Sequence, residues 1–212
     1  DGIATLDTPL TAAQIDAAAA AMDRLLPYDG VHPRVGSTCD VTDPALVALI
    51  GHPFFEEVAR RVLRADAVRF FQMAIVNAYP EPGVPFSFWQ HVDLQYRLAD
   101  HQSVPRKILC SFFLWLSDVD ERSAPMMVRP GSHLLLARYA PGDPQRGPDD
   151  PPRVAPVWQK DLPDLPFAEP VPVLARAGQV SVLTTATVHG ASTNVSDRVR
   201  RNLVFTFTAD TE

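Results

Sequence analysis

The feature that most constrains the fold is a change of pattern near residue 68. Before it, apolar residues recur at helical spacing. After it, short segments rich in β-branched and aromatic residues alternate with clusters of proline, glycine and aspartate. Strands are predicted at residues 68–79, 86–94, 107–116, 126–129, 171–174, 179–185 and 202–208. Helices first and many short strands afterwards predict an α+β fold, mainly β, with an antiparallel sandwich or barrel.

Three helices are predicted in the first part of the chain. Thr11 and Gln14 form a capping-box pattern ahead of an apolar series with helical spacing. Asp43 and His52 each precede a proline, which is the arrangement of a capping residue followed by a first-turn proline. His32 also precedes a proline, and we interpret His32 and His52 as turn or cap residues.

Length and composition narrow the functional classes. The 212 residues are enough for one domain with a full core, with a mostly helical part at 1–66 and a β core at 67–208. The net charge of −6 argues against a nucleic-acid partner, and no apolar run reaches membrane-spanning length. Cys39 and Cys110 form no disulfide framework, so we expect two free, partly buried thiols and a cytoplasmic location. The oligomeric state stays open.

A histidine and an aspartate stand two residues apart in the predicted strand at 86–94. Alternate residues of a strand point to the same face, so His91 and Asp93 are expected to point together into one cavity, with Val92 turned away. An imidazole and a carboxylate are two thirds of the two-His, one-carboxylate set that binds non-heme Fe(II). The triplet alone is a weak signal, because such triplets occur by chance.

The best candidate for a third ligand is His189. It follows the predicted strand at 179–185 and precedes Gly190, at a strand end that can face a cavity. His101 lies in a polar segment and is expected to be solvated, whereas His133 lies in a Pro-Gly-Ser turn and is expected to be structural. A buried, hydrogen-bonded core histidine remains the alternative interpretation of His189.

Alternation in the last predicted strand separates two sets of side chains. One face carries Leu203, Phe205 and Phe207, and the other carries Arg200, Asn202, Val204 and Thr206. An arginine at the mouth of a β-barrel is a bidentate partner for a carboxylate, so Arg200 is a candidate anchor for a dicarboxylic co-substrate. Arg198 and Arg201 are expected to be surface charges. The alternative is a solvated charged loop before a strand.

These motifs together resemble one family. The segment His91-Val92-Asp93, the segment FFLWLSDVDERSAPMMVRPGSH at 112–133 and the segment GQVSVLTTATVHGASTNVSDRVRRNLVFTF at 178–207 are similar to the phytanoyl-CoA dioxygenase family. The opening DGIATLDTPLTAAQID also resembles the usual start of that family, and so does the eleven-residue spacing from His189 to Arg200. Members are Fe(II)- and 2-oxoglutarate-dependent oxygenases with a double-stranded β-helix, or jelly-roll, fold. The resemblance implies N-terminal helices packed on one sheet.

The resemblance also implies roles for single residues. His91, Asp93 and His189 would ligate iron, and Arg200 would hold the distal carboxylate of 2-oxoglutarate. Family members often have a serine two residues after the second histidine, where this sequence has Ala191.

Four further residues are candidate groups of the cavity. Ser192, beside Ala191, is the nearest replacement for the family's serine as a co-substrate ligand. Gln72 and Asn77, on the strand at 68–79, and Trp115 are the other candidates, and a structural role is the alternative for each.

The activity implied is hydroxylation of a small metabolite with molecular oxygen, releasing succinate and CO2. Asp93 favours hydroxylation, or another oxidation such as desaturation, because related halogenases carry a small residue in its place. The proline- and glycine-rich stretch at 139–156 is a candidate lid. Two other hypotheses stay open, namely a catalytically idle metal- or ligand-binding jelly roll and a zinc hydrolase that uses the same three ligands.

Overall fold

The computed structural model describes residues 1–28, 30, 35–139 and 157–211. Within these residues, eleven strands form two antiparallel sheets. In chain order the strands are β1 (Ile3–Leu6), β2 (Val35–Thr38), β3 (Val68–Ala78), β4 (His91–Val92), β5 (Leu109–Trp115), β6 (Met126–Val128), β7 (Val157–Trp158), β8 (Val171–Val173), β9 (Val180–Thr184), β10 (His189–Gly190) and β11 (Arg200–Ala209). The larger sheet has the order β1-β9-β5-β11-β3-β2, and the smaller has the order β7-β4-β10-β6-β8.

The structure describes five helices, of which the first three begin where the sequence provides caps. They are α1 (Ala12–Leu25), α2 (Pro44–Ile50), α3 (Pro53–Leu63), α4 (Leu98–Gln102) and α5 (Ser132–Arg138). Thr11 and Gln14 form the predicted capping box, with 2.9 Å from the Thr11 amide to Gln14 Oε1. The His52 ring accepts a hydrogen bond from the Phe54 amide at 3.2 Å, so its interpretation as a cap is confirmed.

The first three helices pack on the outer face of the larger sheet. Leu46 and Phe55 from these helices are fully buried against sheet residues such as Phe112 and Phe205. The Phe55 ring meets Phe112 and Phe205 edge-on, with centroids 5.8 and 5.0 Å apart. The predicted fold is therefore confirmed as a mainly β α+β jelly roll with its N-terminal helices on one sheet.

The inner faces of the two sheets meet in a second core. It joins Trp115 and Leu183 of the larger sheet to Met126, Val128 and Val173 of the smaller one. Because paired residues of neighbouring strands share a face, the register of β11 decides which of its side chains face inward. Asn202 pairs with Trp115, so Arg200, Asn202 and Trp115 all lie on the inner face.

The structure differs from the prediction mainly where the chain is extended but hardly paired. Of the predicted strand at 86–94 only β4 is a regular strand. The backbone amides of Asp93 and Leu94 both donate to the Thr185 carbonyl, so they do not continue the ladder. The predicted turn around Gly131 opens helix α5, and β2, β7 and β10 were not predicted because two to four residues carry too little pattern. His32 and nearly all of the predicted lid at 139–156 lie outside the described residues.

The two cysteines differ in environment. Cys39 is exposed, so the expectation of a partly buried thiol is wrong for that residue, whereas Cys110 is fully buried in β5. Burial raises the pKa of the Cys110 thiol to about 12. No helix in the described ranges 1–28, 35–139 and 157–211 is long and apolar enough to cross a membrane.

Candidate metal and co-substrate site

Two histidines face each other across neighbouring strands of the smaller sheet. His91 in β4 pairs directly with His189 in β10, and their ring centroids lie 4.5 Å apart. On its other side His91 pairs with Trp158 of β7, whose ring centroid lies 5.0 Å from that of His91. The strand register therefore brings residues far apart in sequence to one spot.

Asp93 completes a cluster of three metal-binding side chains. One donor atom from each of His91, Asp93 and His189 lies within 4.8 Å of the others. His91 Nε2 is 3.3 Å from Asp93 Oδ1, and His189 Nε2 is 3.9 Å from Asp93 Oδ2. Val92 between the two ligands is fully buried in a separate apolar cluster, so the predicted alternation of this segment is present.

A backbone hydrogen bond fixes the orientation of His189. Its Nδ1 lies 2.8 Å from the Thr187 carbonyl oxygen, which accepts the Nδ1 proton and leaves the lone pair of Nε2 directed at Asp93. The side chain is buried, and this burial lowers the pKa of His189 and favours the neutral, metal-binding form.

The carboxylate of Asp93 is held in its charged form. Burial pushes its pKa upward, but the adjacent imidazole of His189 and the hydrogen bond from His91 together keep the pKa below its usual value. A charged carboxylate and a neutral imidazole are the protonation states that a metal ion requires of its ligands.

The donor set fits a divalent iron ion. Three ligands on one face of an octahedron, with bonds of about 2.1 Å, would stand about 3 Å apart, so the donors here, which lie within 4.8 Å of one another, would have to draw together around an ion. The Asp93 side chain keeps 38% of its surface exposed, and the neighbouring Trp158 keeps 47%. The cluster is thus buried on the His189 side and open on the side of Asp93 and Trp158, where exogenous ligands can reach a metal.

Gly190 permits the close approach of the two ligand strands. A Cβ atom at this position would overlap the carbonyl group of Trp89, two residues before His91. Any side chain at residue 190 would therefore push β10 away from the segment that carries His91. In the sequence Gly190 stands out only as the neighbour of His189, because the close approach involves a residue about 100 positions away.

Arg200 is a buried cation without a partner. Its side chain is only 5% exposed, and among the described residues it has no hydrogen-bond or ion-pair partner. The guanidinium carbon lies 5.6 Å from the centroid of the Trp115 ring. Burial alone lowers the pKa of Arg200 to about 10, and the group remains charged at neutral pH.

The two nearby arginines behave differently. Arg198 donates to Asp120 at 2.8 Å, and Arg201 grips Asp23 with two hydrogen bonds of 2.7 and 2.9 Å. Both make ion pairs in contact with solvent, as expected of surface charges. Arg200 is the member of this group that lies inside the fold and is free to bind an added anion.

The inner face of the larger sheet connects Arg200 to the metal cluster. The Phe113 ring lies 5.8 Å from that of His189, and Phe113 pairs with Val204 on β11. Arg200 is on the same strand and the same face, and its guanidinium lies against Trp115. The side chains that contact the metal ligands and the buried cation therefore belong to the same inner face of the larger sheet.

Three other predicted co-substrate residues do not join Arg200. Asn77 pairs with Arg201 and so lies on the opposite, helix-covered face of the sheet. Gln72 is exposed and pairs with Thr206. Because Thr206 is six residues after Arg200 on β11, Gln72 lies about 20 Å from Arg200. These placements correct the predictions for Asn77 and Gln72.

Ser192 already has a partner. Its buried hydroxyl donates to the Pro125 carbonyl at 2.6 Å, which leaves it no proton for a carboxylate. The prediction that Ser192 replaces the family's serine is therefore also corrected.

His101 and His133 form a second histidine pair. His101 was expected to be solvated, but it lies half-buried in α4 with its ring centroid 5.4 Å from that of His133. His133 lies at the start of α5, and the expectation that it is structural stays a prediction. Burial, followed by the proximity of His101, lowers the pKa of His133 to about 4.

Fold and site together define a class of protein. A jelly roll with two histidines on neighbouring strands of its smaller sheet, an aspartate beside them and a buried arginine on the facing sheet is the frame of a non-heme metal-dependent oxygenase. The chain belongs to the phytanoyl-CoA dioxygenase family, whose model matches residues 1–202. It is thus of the Fe(II)- and 2-oxoglutarate-dependent class.

Solved structures share the fold at low identity. The epimerase SnoN, crystallised with Fe3+, alpha-ketoglutarate and nogalamycin RO, is 20% identical with a TM-score of 0.69, over 100% of this chain and 80% of that one. HygX from Streptomyces hygroscopicus, with nickel and 2-oxoglutarate, is 17% identical with a TM-score of 0.69, over 99% and 83%. The carbocyclase SnoK from nogalamycin biosynthesis is 24% identical with a TM-score of 0.68, over 98% and 79%. Comparison with proteins of curated function gives no match.

Proposed function

We propose that this protein hydroxylates a small metabolite, using Fe(II) held by His91, Asp93 and His189 and 2-oxoglutarate anchored by Arg200. One observation carries the proposal. A three-donor cluster and a buried, unpaired guanidinium lie on the facing inner surfaces of one jelly roll.

The state of Arg200 supports a dicarboxylic co-substrate. Removing a charge from water costs several kcal/mol unless the charge is paired. Here the described residues provide no carboxylate for Arg200, so a bound carboxylate recovers that cost. A guanidinium also matches a carboxylate with two parallel hydrogen bonds, which gives both affinity and orientation.

The protein residues position and shield the reaction. When bound, iron and 2-oxoglutarate supply an oxidation in which O2 gives one oxygen atom to succinate, with loss of CO2, and one to a substrate C–H bond. The strand pairing of His91 with His189 fixes two iron ligands, and Thr187 holds the second ring in place. Phe113, against the His189 ring, walls the site with an apolar side chain that keeps water out.

Hydroxylation is favoured over halogenation by the third ligand. Asp93 would fill the place on the metal that a chloride ion would need, and its backbone amide donates a hydrogen bond of 2.9 Å to the Thr185 carbonyl oxygen. The similar structures named as an epimerase and a carbocyclase show that this fold also serves reactions other than hydroxylation. In our proposal the outcome is set by where the substrate C–H bond lies relative to the metal.

The substrate approaches from the open side of the cluster. Trp158 presents a half-exposed ring next to His91, and Trp89 is 38% exposed two residues before that ligand. Aromatic rings beside a metal bind a small organic molecule by stacking and apolar contact.

An anaerobic titration tests the metal and co-substrate assignments. Adding 2-oxoglutarate to the Fe(II) protein is expected to produce a visible charge-transfer absorption band. Asp93→Ala should abolish Fe(II) binding. Arg200→Leu should keep Fe(II) but lose most of the 2-oxoglutarate response. The matched control is Arg198→Leu, because Arg198 is an exposed arginine two residues away, and its loss should leave the titration unchanged.

Product analysis separates turnover from binding alone. With O2, the wild-type protein should form succinate from 2-oxoglutarate, and a substrate should gain one oxygen atom. A chlorinated product would contradict the role given to Asp93. Fe(II) and 2-oxoglutarate binding without any succinate would instead indicate a catalytically idle protein. An identical titration of wild type and Arg200→Leu would refute the co-substrate site.

A further inference from the structure

Asn202 is a buried amide with no hydrogen bond. Neither its Oδ1 nor its Nδ2 has a partner within the part of the chain that the structure describes, and the residue has no exposed surface. Burying an amide without a partner costs about 1–3 kcal/mol on scales derived from protein mutations. A residue kept at such a cost in the centre of a sheet calls for a ligand that satisfies it.

The position of Asn202 points to which ligand. It lies two residues after Arg200 on β11, on the same inward face, and pairs directly with Trp115. The Arg200 guanidinium carbon lies 5.6 Å from the centroid of that same Trp115 ring. The unpaired guanidinium and the unpaired amide therefore lie side by side on one face of β11, next to the same Trp115 side chain.

Other polar side chains of this inner surface are satisfied. Thr206, further along β11, lies 3.3 Å from the Ser111 hydroxyl, and Trp115 Nε1 donates to Ser181 at 2.9 Å. Ser181 in turn bonds to Thr5 at 2.9 Å. On the inward face of β11 the unsatisfied groups are confined to Arg200 and Asn202, among the residues described.

We propose that Asn202 is a second anchor for the co-substrate carboxylate that Arg200 holds, with its side-chain NH2 donating to a carboxylate oxygen. This inference rests on the proposed function. It also explains how the co-substrate can be held without a serine at position 191. The hydroxyl of the adjacent Ser192 donates to the Pro125 carbonyl, and the Asn202 amide supplies a hydrogen-bond donor from the opposite sheet instead. Asn202 is thereby a co-substrate-binding residue.

Binding of 2-oxoglutarate to the Ni(II)-loaded protein tests the proposal without turnover. Asn202→Leu keeps the side-chain volume but removes the NH2 donor. It should weaken 2-oxoglutarate binding by about 10-fold, because a hydrogen bond to a charged group is lost. Asn202→Asp places a charge against the carboxylate and should weaken binding further. The control Thr206→Val alters the same strand face at a satisfied residue and should leave 2-oxoglutarate affinity unchanged. Calorimetry measures the affinities for Ni(II) and 2-oxoglutarate separately.

Thermal unfolding without 2-oxoglutarate distinguishes a ligand-binding amide from a structural one. Because Leu removes an unsatisfied buried amide, the Asn202→Leu protein should melt at the same temperature as wild type or higher, with Ni(II) affinity retained. A lower melting temperature with unchanged 2-oxoglutarate affinity would show that Asn202 is structural and overturn the proposal. If Asn202→Leu does not fold, the Asn202→Asp protein decides by the same affinity criterion.

Failure of the underlying function gives a different result. If wild type binds no 2-oxoglutarate, or binds it equally after Arg200→Leu, both proposals fall together. If binding depends on Arg200 but not on Asn202, only the assignment of Asn202 falls.

Discussion

His91 and His189 stand directly opposite each other on antiparallel strands, with their ring centroids 4.5 Å apart. Residues directly paired across such strands have Cβ atoms about 4.5–5.5 Å apart, so backbone pairing by itself sets the spacing of two ligands. Strands hold side chains more firmly than loops do, which suits a metal site that must keep its geometry through a reaction cycle. The site therefore depends on how closely these two short strands approach.

Gly190→Ala should abolish metal binding. The added Cβ overlaps the Trp89 carbonyl, so β10 must move away from the segment that carries His91, and the three donors separate. We expect at least a 100-fold loss of Ni(II) affinity in calorimetry, in line with the effect of a misplaced ligand. Gly51→Ala is the control, since a Cβ there meets its nearest atom at an ordinary 3.6 Å. Equal metal affinity in both variants would contradict the close approach.

Phe55→Ala should destabilise the fold without disturbing the site. Phe55 is fully buried between α3 and the rings of Phe112 and Phe205, and truncation of such a residue costs about 3–5 kcal/mol. Urea unfolding should show this loss of free energy, whereas folded protein should keep its metal affinity because Phe55 is on the outer face of the sheet. Phe71→Ala, at a 56% exposed position, should change stability by less than about 0.5 kcal/mol. Similar losses in the two variants would count against the described core.

Cys39 and Cys110 should differ in their reactivity toward an alkylating reagent. Burial raises the pKa of Cys110 to about 12, so its thiolate is scarce at pH 8, whereas Cys39 is exposed. Mass spectrometry after iodoacetamide treatment should find one label on the native protein, at Cys39, and two on the urea-unfolded protein. Rapid labelling of Cys110 in the native protein would show that β5 opens readily.

Acid should destabilise the protein partly through His133. Its pKa is lowered from 6.5 to about 4 in the folded protein, so the unfolded chain binds the proton more tightly. The contribution of His133 to stability is therefore fully present above pH 6.5 and is lost as the pH falls through about 4. His101 and Arg106 are close enough to oppose a second positive charge there.

Thermal unfolding at several pH values measures this effect. His133→Gln removes the titrating group, so its melting temperature should fall less than that of wild type between pH 7 and pH 4.5. A parallel decline in both proteins would mean that His133 is not a buried neutral group in solution.

The sequence alone determined the features that depend on local periodicity. Capping residues marked the starts of the first helices, and alternation along a strand placed His91 with Asp93 and Arg200 with Asn202. Such patterns are readable because the period of a strand or a helix is a property of adjacent residues. The spacing between His189 and Arg200 contributed to the family resemblance, which the match over residues 1–202 confirms.

Only the tertiary structure decided which face and which partner each side chain has. Asn77 proved to be on the helix-covered face, and the Ser192 hydroxyl proved to be committed to Pro125. The Arg200 guanidinium and the Asn202 amide find no hydrogen-bond partner among the residues that the structure describes. Register, burial and unmet hydrogen bonds arise from contacts between residues far apart in the chain, and a one-residue shift in pairing would exchange every inward and outward side chain.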